Sequence, residues 1–247
     1  MQLTVLGNRS PYPVQAGSCS GYLLQSGKQN ILLDVGPGTL SALDQVINYH
    51  ELQAVVISHL HEDHWLDLYP LHYAIKRSLK WGAREEALPI YMPFSGGVEF
   101  DYIKNKFGSE YYLKPIEEGK EITLGEIKFT FSLTQHSKEC YAFRVEKGDQ
   151  TLGYTADTAW DESLIEFLAG VNILLTESTL LKKDKEETIS HLTVGEGVEL
   201  GELLEAEKIL LTHLDSEYNI EEIKKEIPSS TSQVEVAEVL KSYRIRR

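Results

Sequence analysis

Cysteine is scarce. Only Cys19 and Cys140 occur in 247 residues, far apart and outside any CxxC spacing. That excludes a disulfide framework and reads as two unpaired, partly buried thiols in a reducing cytoplasm. Long apolar runs are missing as well. None approaches the roughly 18 residues that a membrane helix needs. The start, Met1-Gln-Leu-Thr-Val-Leu-Gly7, reads as a strand and lacks the basic lead and apolar core of a signal peptide. A cytoplasmic protein off the membrane is expected. Basic side chains number 24 against 38 acidic ones, a net charge of −14. Arg84, Lys104, Lys106 and Lys114 are scattered, and no basic stripe forms, which argues against a face for long nucleic acid. The acidic excess, much of it in Glu196–Glu226, and the charge-balanced run Lys182–Glu187 read as a solvated surface. No linker, low-complexity stretch or short repeat interrupts the chain, and its length suits one domain over residues 1–247.

What is present is an alternation of strands and helices. Strands are expected over Leu3–Leu6, Gly21–Gln25, Ile31–Val35, Ala54–Ser58, Pro89–Met92, Glu121–Leu124, Ile127–Leu133, Cys140–Glu146, Thr151–Thr155, Val171–Thr176, Lys208–Thr212 and Gln233–Val236. In one of them Ile127, Phe129, Phe131 and Leu133 fall on one face by period-2 alternation. Val55-Val-Ile57 and Ile173-Leu-Leu175 are apolar throughout, as strands buried on both faces are. Helices are expected over Thr39–Tyr49, Leu66–Leu79, Gly97–Phe107, Ser163–Ala169, Thr193–Ala206, Ile220–Ile227 and Ala237–Ser242, with Thr193 and Glu196 as a capping box. The expected architecture is α/β, two packed sheets with helices outside.

Eight histidines are present, three of them in His59-Leu60-His61-Glu62-Asp63-His64. Five separate strands deliver a reactive side chain at the C-terminal end: His59, His136, Asp157, Glu177 and His213. Sites form at that edge of α/β sheets, so five such residues imply one cleft. His59 and His61 can reach one metal if the backbone turns. Asp63 and His64, which begin the next helix, point to a neighbouring position. Two divalent cations about 3.5–4 Å apart would hold a hydroxide that attacks at neutral pH. Imidazole and carboxylate donors suit Zn²⁺, and also Mn²⁺ or Fe²⁺. His50 and His72 read as ordinary histidines, Glu62 as solvent-facing, and Asp67 as a surface residue or a support behind the site. Asp34, at the end of an apolar strand, is either a turn former or a carboxylate supporting the metal site from behind.

The ordered set His59-x-His61-x-Asp63-His64, His136, Asp157, His213 resembles the metallo-β-lactamase superfamily, and Asp34-Val-Gly36 extends the match toward the N-terminus. The resemblance implies a four-layer αβ/βα sandwich with metals at one edge of the sheets. It implies that His59, His61 and His136 bind one metal, that Asp63, His64 and His213 bind the other, and that Asp157 bridges them. Within the superfamily the chain is most similar to ribonuclease Z and its phosphodiesterase relatives, through Thr176-Glu177-Ser-Thr-Leu180 and Ser190-His191-Leu-Thr193. By that likeness Glu177 holds His191, which is not a ligand and protonates the leaving oxygen or steadies the phosphoryl charge. Asp63, Glu177 and His191 are then the catalytic residues. The likeness also suggests a homodimer.

One departure matters. Ribonuclease Z proper carries a long Gly/Pro-rich arm that grips tRNA, between the ligands matching His136 and Asp157. Here those positions are only 21 apart. The expected activity is therefore hydrolysis of a small or short-chain phosphodiester, such as a cyclic nucleotide or an RNA end. A thioesterase, lactonase or β-lactamase-type activity is the alternative. A tRNA 3′-processing endoribonuclease and a non-enzymatic metal-binding scaffold rank behind. Pocket walls are expected from Gly7–Ser20, Trp65–Glu86 and the loops around Phe94, with Asn8, Ser18, Trp65 and Tyr73 as possible contacts.

Overall fold

The apolar runs pair into two seven-stranded sheets of one design. A computed structural model describes residues 1–15, 17–186, 188–230 and 232–246. Ala16 of the first expected pocket wall and Glu187 of the charged run Lys182–Glu187 lie outside the described residues. The strands in chain order are β1 Gln2–Gly7, β2 Arg9–Ser10, β3 Gly21–Ser26, β4 Gln29–Val35, β5 Ala54–Val56, β6 Leu88–Pro93, β7 Tyr111–Ile116, β8 Glu121–Leu124, β9 Ile127–Leu133, β10 Tyr141–Lys147, β11 Gln150–Tyr154, β12 Ile173–Glu177, β13 Lys208–Thr212, β14 Leu214–Asp215, β15 Gln233–Val236 and β16 Ser242–Arg244. The α-helices are α1 Thr39–Leu43, α2 Glu62–Trp65, α3 Leu68–Lys80, α4 Gly97–Lys106, α5 Ser163–Phe167, α6 Val194–Leu203 and α7 Ile220–Glu226.

The first sheet runs β16-β1-β3-β4-β5-β6-β7 and the second β8-β9-β10-β11-β12-β13-β15. In each, three antiparallel steps are followed by three parallel ones. Parallel pairing needs a crossover, and the crossovers place helices on the outer faces. Three apolar clusters result. The middle one joins the sheets through Leu33, Val56, Phe129, Phe143, Tyr154 and Leu175. One outer cluster lies under α1 and α3, the other under α5, α6 and α7. The layers are therefore helix, sheet, sheet, helix. Val55 faces the first outer cluster and Val56 the middle one; Leu174 and Leu175 divide likewise. That two-sided burial is why these strands are apolar throughout, and each such side chain contributes about 1.5–3 kcal/mol.

Several elements differ from the sequence reading. Ala237–Ser242 is not a helix. Ala237 N–H donates to the Leu211 carbonyl and Leu240 N–H to that of Val5, which draws the chain across to pair β16 with β1. Strand β7 is unexpected because it contains Lys114 and Pro115, which an edge strand tolerates. The first helix stops at Leu43, and turns with a 3₁₀ segment at Tyr49–Glu51 cover the remainder. Leu133 shares the face of Phe131 but is 38% exposed at the end of its strand. The capping box of α6 is formed, with Thr193 Oγ1 accepting from Glu196 N–H. Both cysteines are buried and free.

One glycine seats the site. A Cβ on Gly36 would lie 1.8 Å from the Asp63 carbonyl oxygen. Its absence lets α2, which carries Asp63 and His64, settle against the end of β4.

Candidate metal centre

The parallel strands β5, β12 and β13, with the turns after β9 and β11, bring their C-terminal ends to one edge. His61 Nδ1 lies 3.0 Å from His59 Nε2 and 2.9 Å from His136 Nε2. His64 Nε2 lies 3.1 Å from His213 Nε2. Asp157 stands between the two groups, with Oδ2 3.6 Å from His59 Nε2 and 3.3 Å from His213 Nε2. Asp63 Oδ2 is 3.3 Å from His213 Nε2. Each of the sets His59–His61–His136–Asp157 and Asp63–His64–His213 gathers its donor atoms within 4.8 Å.

The donors are arranged for cations, and their partners show why. His64 Nδ1–H donates to Asp34 Oδ2 at 2.8 Å, and His136 Nδ1–H donates to the Ser190 carbonyl at 3.2 Å. Neither acceptor can donate, so each Nδ1 carries a proton and Nε2 is the atom that each ring turns to the cluster. Ser58 Oγ donates to Asp34 Oδ2 at 2.8 Å and so accepts from His59 Nδ1–H at 3.0 Å. Thr179 Oγ1 donates to Glu177 Oε2 at 2.7 Å and accepts from His213 Nδ1–H at 2.8 Å. Asp157 Oδ1 is buried and accepts no hydrogen bond, with His64 Nε2 3.4 Å away. A buried carboxylate oxygen without a donor beside converging imidazole lone pairs fits a divalent cation.

Charge tells the same story. Burial pushes the His59 imidazole well below its ordinary value, and burial with the neighbouring His136 pushes His61 down to about 4. Burial lowers His136 too. For Asp157 burial favours the neutral acid, but His213, His64 and His59 outweigh it and hold the carboxyl well below the usual range. Asp63 goes down to about 2, because His64 and His213 outweigh burial. His64 is raised well above its ordinary value, since Asp157, Asp63 and Asp34 outweigh its burial. These carboxylates draw positive charge into the site.

Glu177 and His191 adjoin the cluster. His191 Nδ1–H donates to Glu177 Oε1 at 2.9 Å and lies 4.0 Å from Asp157 Oδ2. Its ring stacks on His213, with centroids 5.5 Å apart, and stands edge-on to His136. Burial lowers the His191 pKa, but the charge and hydrogen bond of Glu177 outweigh it and raise it to about 9. Glu177 is fully buried and also accepts from Thr158 N–H at 2.7 Å and Leu192 N–H at 3.1 Å.

Backbone strain aims three of the strand ends. Asp34, Ala156 and His213 have φ of 50°, 50° and 53°. The left-handed region costs an L-residue about 1–2 kcal/mol, and at each end it turns the chain sharply where the strand delivers its side chain.

All nine metal-site and catalytic residues expected from sequence, with Asp34 behind them, therefore meet at one edge. His72 does not: it bonds Glu110 at 3.2 Å. Asp67 accepts from Leu40 N–H at the start of α1. Asn8 ties down the C-terminal segment through Ala237 O and Trp65 is buried, while Tyr73 is exposed. The sequence reading missed Ser58, Thr179 and Tyr154. The first two carry a faint signal, a hydroxyl next to His59 and another two residues after Glu177. Tyr154, whose OH donates to Asp34 Oδ2 from the other sheet, carries none.

Fold and site together define a metallo-β-lactamase-type hydrolase. Residues 29–214 match the family model described as a β-lactamase superfamily domain, and the chain belongs to that superfamily, among the metal-dependent hydrolases. It is 32% identical over 214 residues to YhfI of Bacillus subtilis (strain 168), named a probable metallo-hydrolase, covering 87% of each chain. The crystal structure of that metallo-β-lactamase fold protein superimposes with a TM-score of 0.91 at 29% identity over 98% of each chain. The chain is also 30% identical over 155 residues to a ribonuclease Z of Thermococcus sibiricus, covering 62% of this chain and 47% of that protein. A diphosphatase from the PhnP family shares the fold, with a TM-score of 0.79 at 20% identity over 99% of this chain and 98% of that one. Among the described residues no helix is long and apolar enough to cross a membrane.

Proposed function

We propose that this hydrolase is a phosphodiesterase acting on a small or short-chain phosphodiester. His59, His61 and His136 would hold one divalent cation and Asp63, His64 and His213 a second, with Asp157 lying between the two sets of donors. Imidazole and carboxylate donors without thiolate suit Zn²⁺ first and Mn²⁺ next. When bound, such cations polarise phosphoryl oxygens and acidify water.

The observation that carries the reading is the Glu177–His191 pair, 2.9 Å apart beside the cluster. Phosphodiester cleavage needs a proton for the leaving oxygen. Glu177 fixes His191 Nδ1–H and favours imidazolium, so the ring offers a proton from its other nitrogen. A thioester makes no such demand on His191, because its thiolate leaves without a proton. The partial match to a ribonuclease Z supports a phosphodiester bond as the target. Substrate size follows from the segment between His136 and Asp157, which the hairpin β10–β11 fills without room for an arm.

The test is turnover of bis(p-nitrophenyl) phosphate by protein loaded with Zn²⁺ or Mn²⁺. Absence of turnover with either metal overturns the reading. His191→Ala is expected to remove most of the rate on a dinucleoside monophosphate, whose leaving alkoxide needs a proton, and much less of the rate on bis(p-nitrophenyl) phosphate, whose p-nitrophenolate leaves unprotonated. If a carboxylic ester or thioester is cleaved well and unaffected by His191→Ala, the activity belongs to carbonyl chemistry instead.

A further inference from the structure

The helix that supplies Asp63 and His64 also builds a second feature. On its outer side Glu62, Trp65 and Leu66 line a groove of about 310 Å³, closed by Tyr69 of α3 and by Val98, Glu99 and Tyr102 of α4. Trp65 forms the floor and is buried, with the Tyr102 ring 6.1 Å away and inclined at 46°. Tyr69, Tyr102 and Val98 are exposed, Val98 at 82%. The mechanism above uses none of these side chains.

Lys138 stands between groove and cluster. It lies two residues beyond His136, and its Nζ donates to the Leu60 carbonyl, next to His61, at 3.2 Å. The same Nζ pairs with Glu99 at 2.8 Å. Glu62, on the wall of the groove, stands in sequence between His61 and Asp63, so the groove adjoins the segment that carries half of the cluster.

We infer that this groove receives a nucleobase carried by the substrate on the ester oxygen that is not cleaved; the inference rests on the phosphodiesterase reading. The lining gives the chemistry. Aromatic and aliphatic walls favour a flat ring. Glu62 at the rim repels a second phosphate or a carboxylate and can accept hydrogen bonds from ring or amino N–H groups, whereas Glu99 is paired with Lys138. The volume is at the small end of ligand sites, enough for a single ring system and too small for a folded chain.

The test uses three esters with one leaving group: thymidine 5′-(p-nitrophenyl phosphate), bis(p-nitrophenyl) phosphate and methyl p-nitrophenyl phosphate. Each hydrolysis adds water across the same P–O bond and releases p-nitrophenolate, so only the retained group differs. With the metal-loaded full chain, the thymidine ester should show the lowest KM. Tyr102→Ala should raise that KM roughly tenfold, the order that losing one base–aromatic contact costs. The kcat values and the methyl ester's KM should not move, and Tyr102→Phe should restore the thymidine KM. An equal change for the methyl ester, or no change for the thymidine ester, overturns the inference. A change confined to bis(p-nitrophenyl) phosphate replaces the base with a general aryl group and overturns it too. Calorimetric titration with adenosine 5′-monophosphate separates the two readings. If no ester is cleaved, the activity is wrong, yet binding weakened roughly tenfold by Tyr102→Ala still supports the groove. Absent binding, or equal binding by the variant, overturns the groove alone.

Discussion

Each sheet seals one carboxylate behind the cluster, and the two make nearly parallel networks. Asp34, at the end of β4, accepts from Ser58 N–H, Ser58 Oγ, His64 Nδ1 and Tyr154 OH. Glu177, at the end of β12, accepts from Thr158 N–H, Leu192 N–H, Thr179 Oγ1 and His191 Nδ1. Each passes through a hydroxyl to a further imidazole, His59 in one network and His213 in the other. The difference lies in the imidazole each carboxylate holds directly. His64 is fully buried within the cluster, whereas the His191 side chain is 23% exposed beside it. One network only orients donors. The other orients a donor and also holds a partly exposed imidazole beside the site. Under the proposed function, the same polar device, tilted toward solvent, serves the chemistry as well as the scaffold.

The strongest way to break this contrast is His191→Ala. If the ring is a proton donor, kcat on a dinucleoside monophosphate, whose alkoxide leaving group needs a proton, falls by about 10²–10⁴ while bound metal, measured by elemental analysis, stays level; bis(p-nitrophenyl) phosphate, which loses p-nitrophenolate unprotonated, slows far less. His64→Ala should instead lose metal. The contrast collapses if His191→Ala also loses metal, because His191 with Asp157 and His213 forms a third set of donors that could hold an ion.

A smaller effect separates the carboxylates themselves. Asp34→Asn takes the negative charge from behind His64 and should weaken metal binding by about 10–100-fold in competition with a chelator. Glu177→Gln should act on proton chemistry. It lowers the His191 pKa, so the basic limb of the pH–rate profile moves to lower pH. In metal-stripped protein the same pair has a stability signature. The folded pKa of about 9 lies above the ordinary imidazole value of ~6.5, so the pair stabilises fully below ~6.5. That contribution is lost as pH rises through about 9. The Tm gap between wild type and Glu177→Gln should narrow across that window. A gap that widens with pH contradicts it.

The site was far more legible in the sequence than its supports. Each of these donors follows a strand pattern, apolar before His59 and His213 and alternating before His136, so the sequence alone puts His59, His136, Asp157 and His213 at one edge. Their order then carried the family. Asp34 could be read as a turn former or as a support, and it has both properties: a φ of 50° and four accepted hydrogen bonds. The bond from Tyr154 joins positions 120 residues apart on facing sheets, and only the packing of the two sheets creates it. The edges of the first sheet were illegible for a different reason. At β7 a lysine and a proline mask the strand, and β16 is three residues long and takes its partner from the opposite terminus.

The finest comparison is between the two hydroxyls. Ser58→Ala and Thr179→Val each leave a buried carboxylate oxygen and an imidazole N–H without their link, which costs about 1–3 kcal/mol of stability by chemical denaturation. Equal losses are expected there, because both hydroxyls are buried and make the same two bonds. Catalysis should tell them apart. Ser58→Ala disturbs only ligand orientation, so excess metal should restore most of its rate. Thr179→Val frees Glu177 Oε2 as well as His213, so the carboxylate that holds His191 loses one of its anchors and excess metal should restore less. Equal rescue of both variants would mean that the network behind Glu177 orients its ligand and does nothing further for His191.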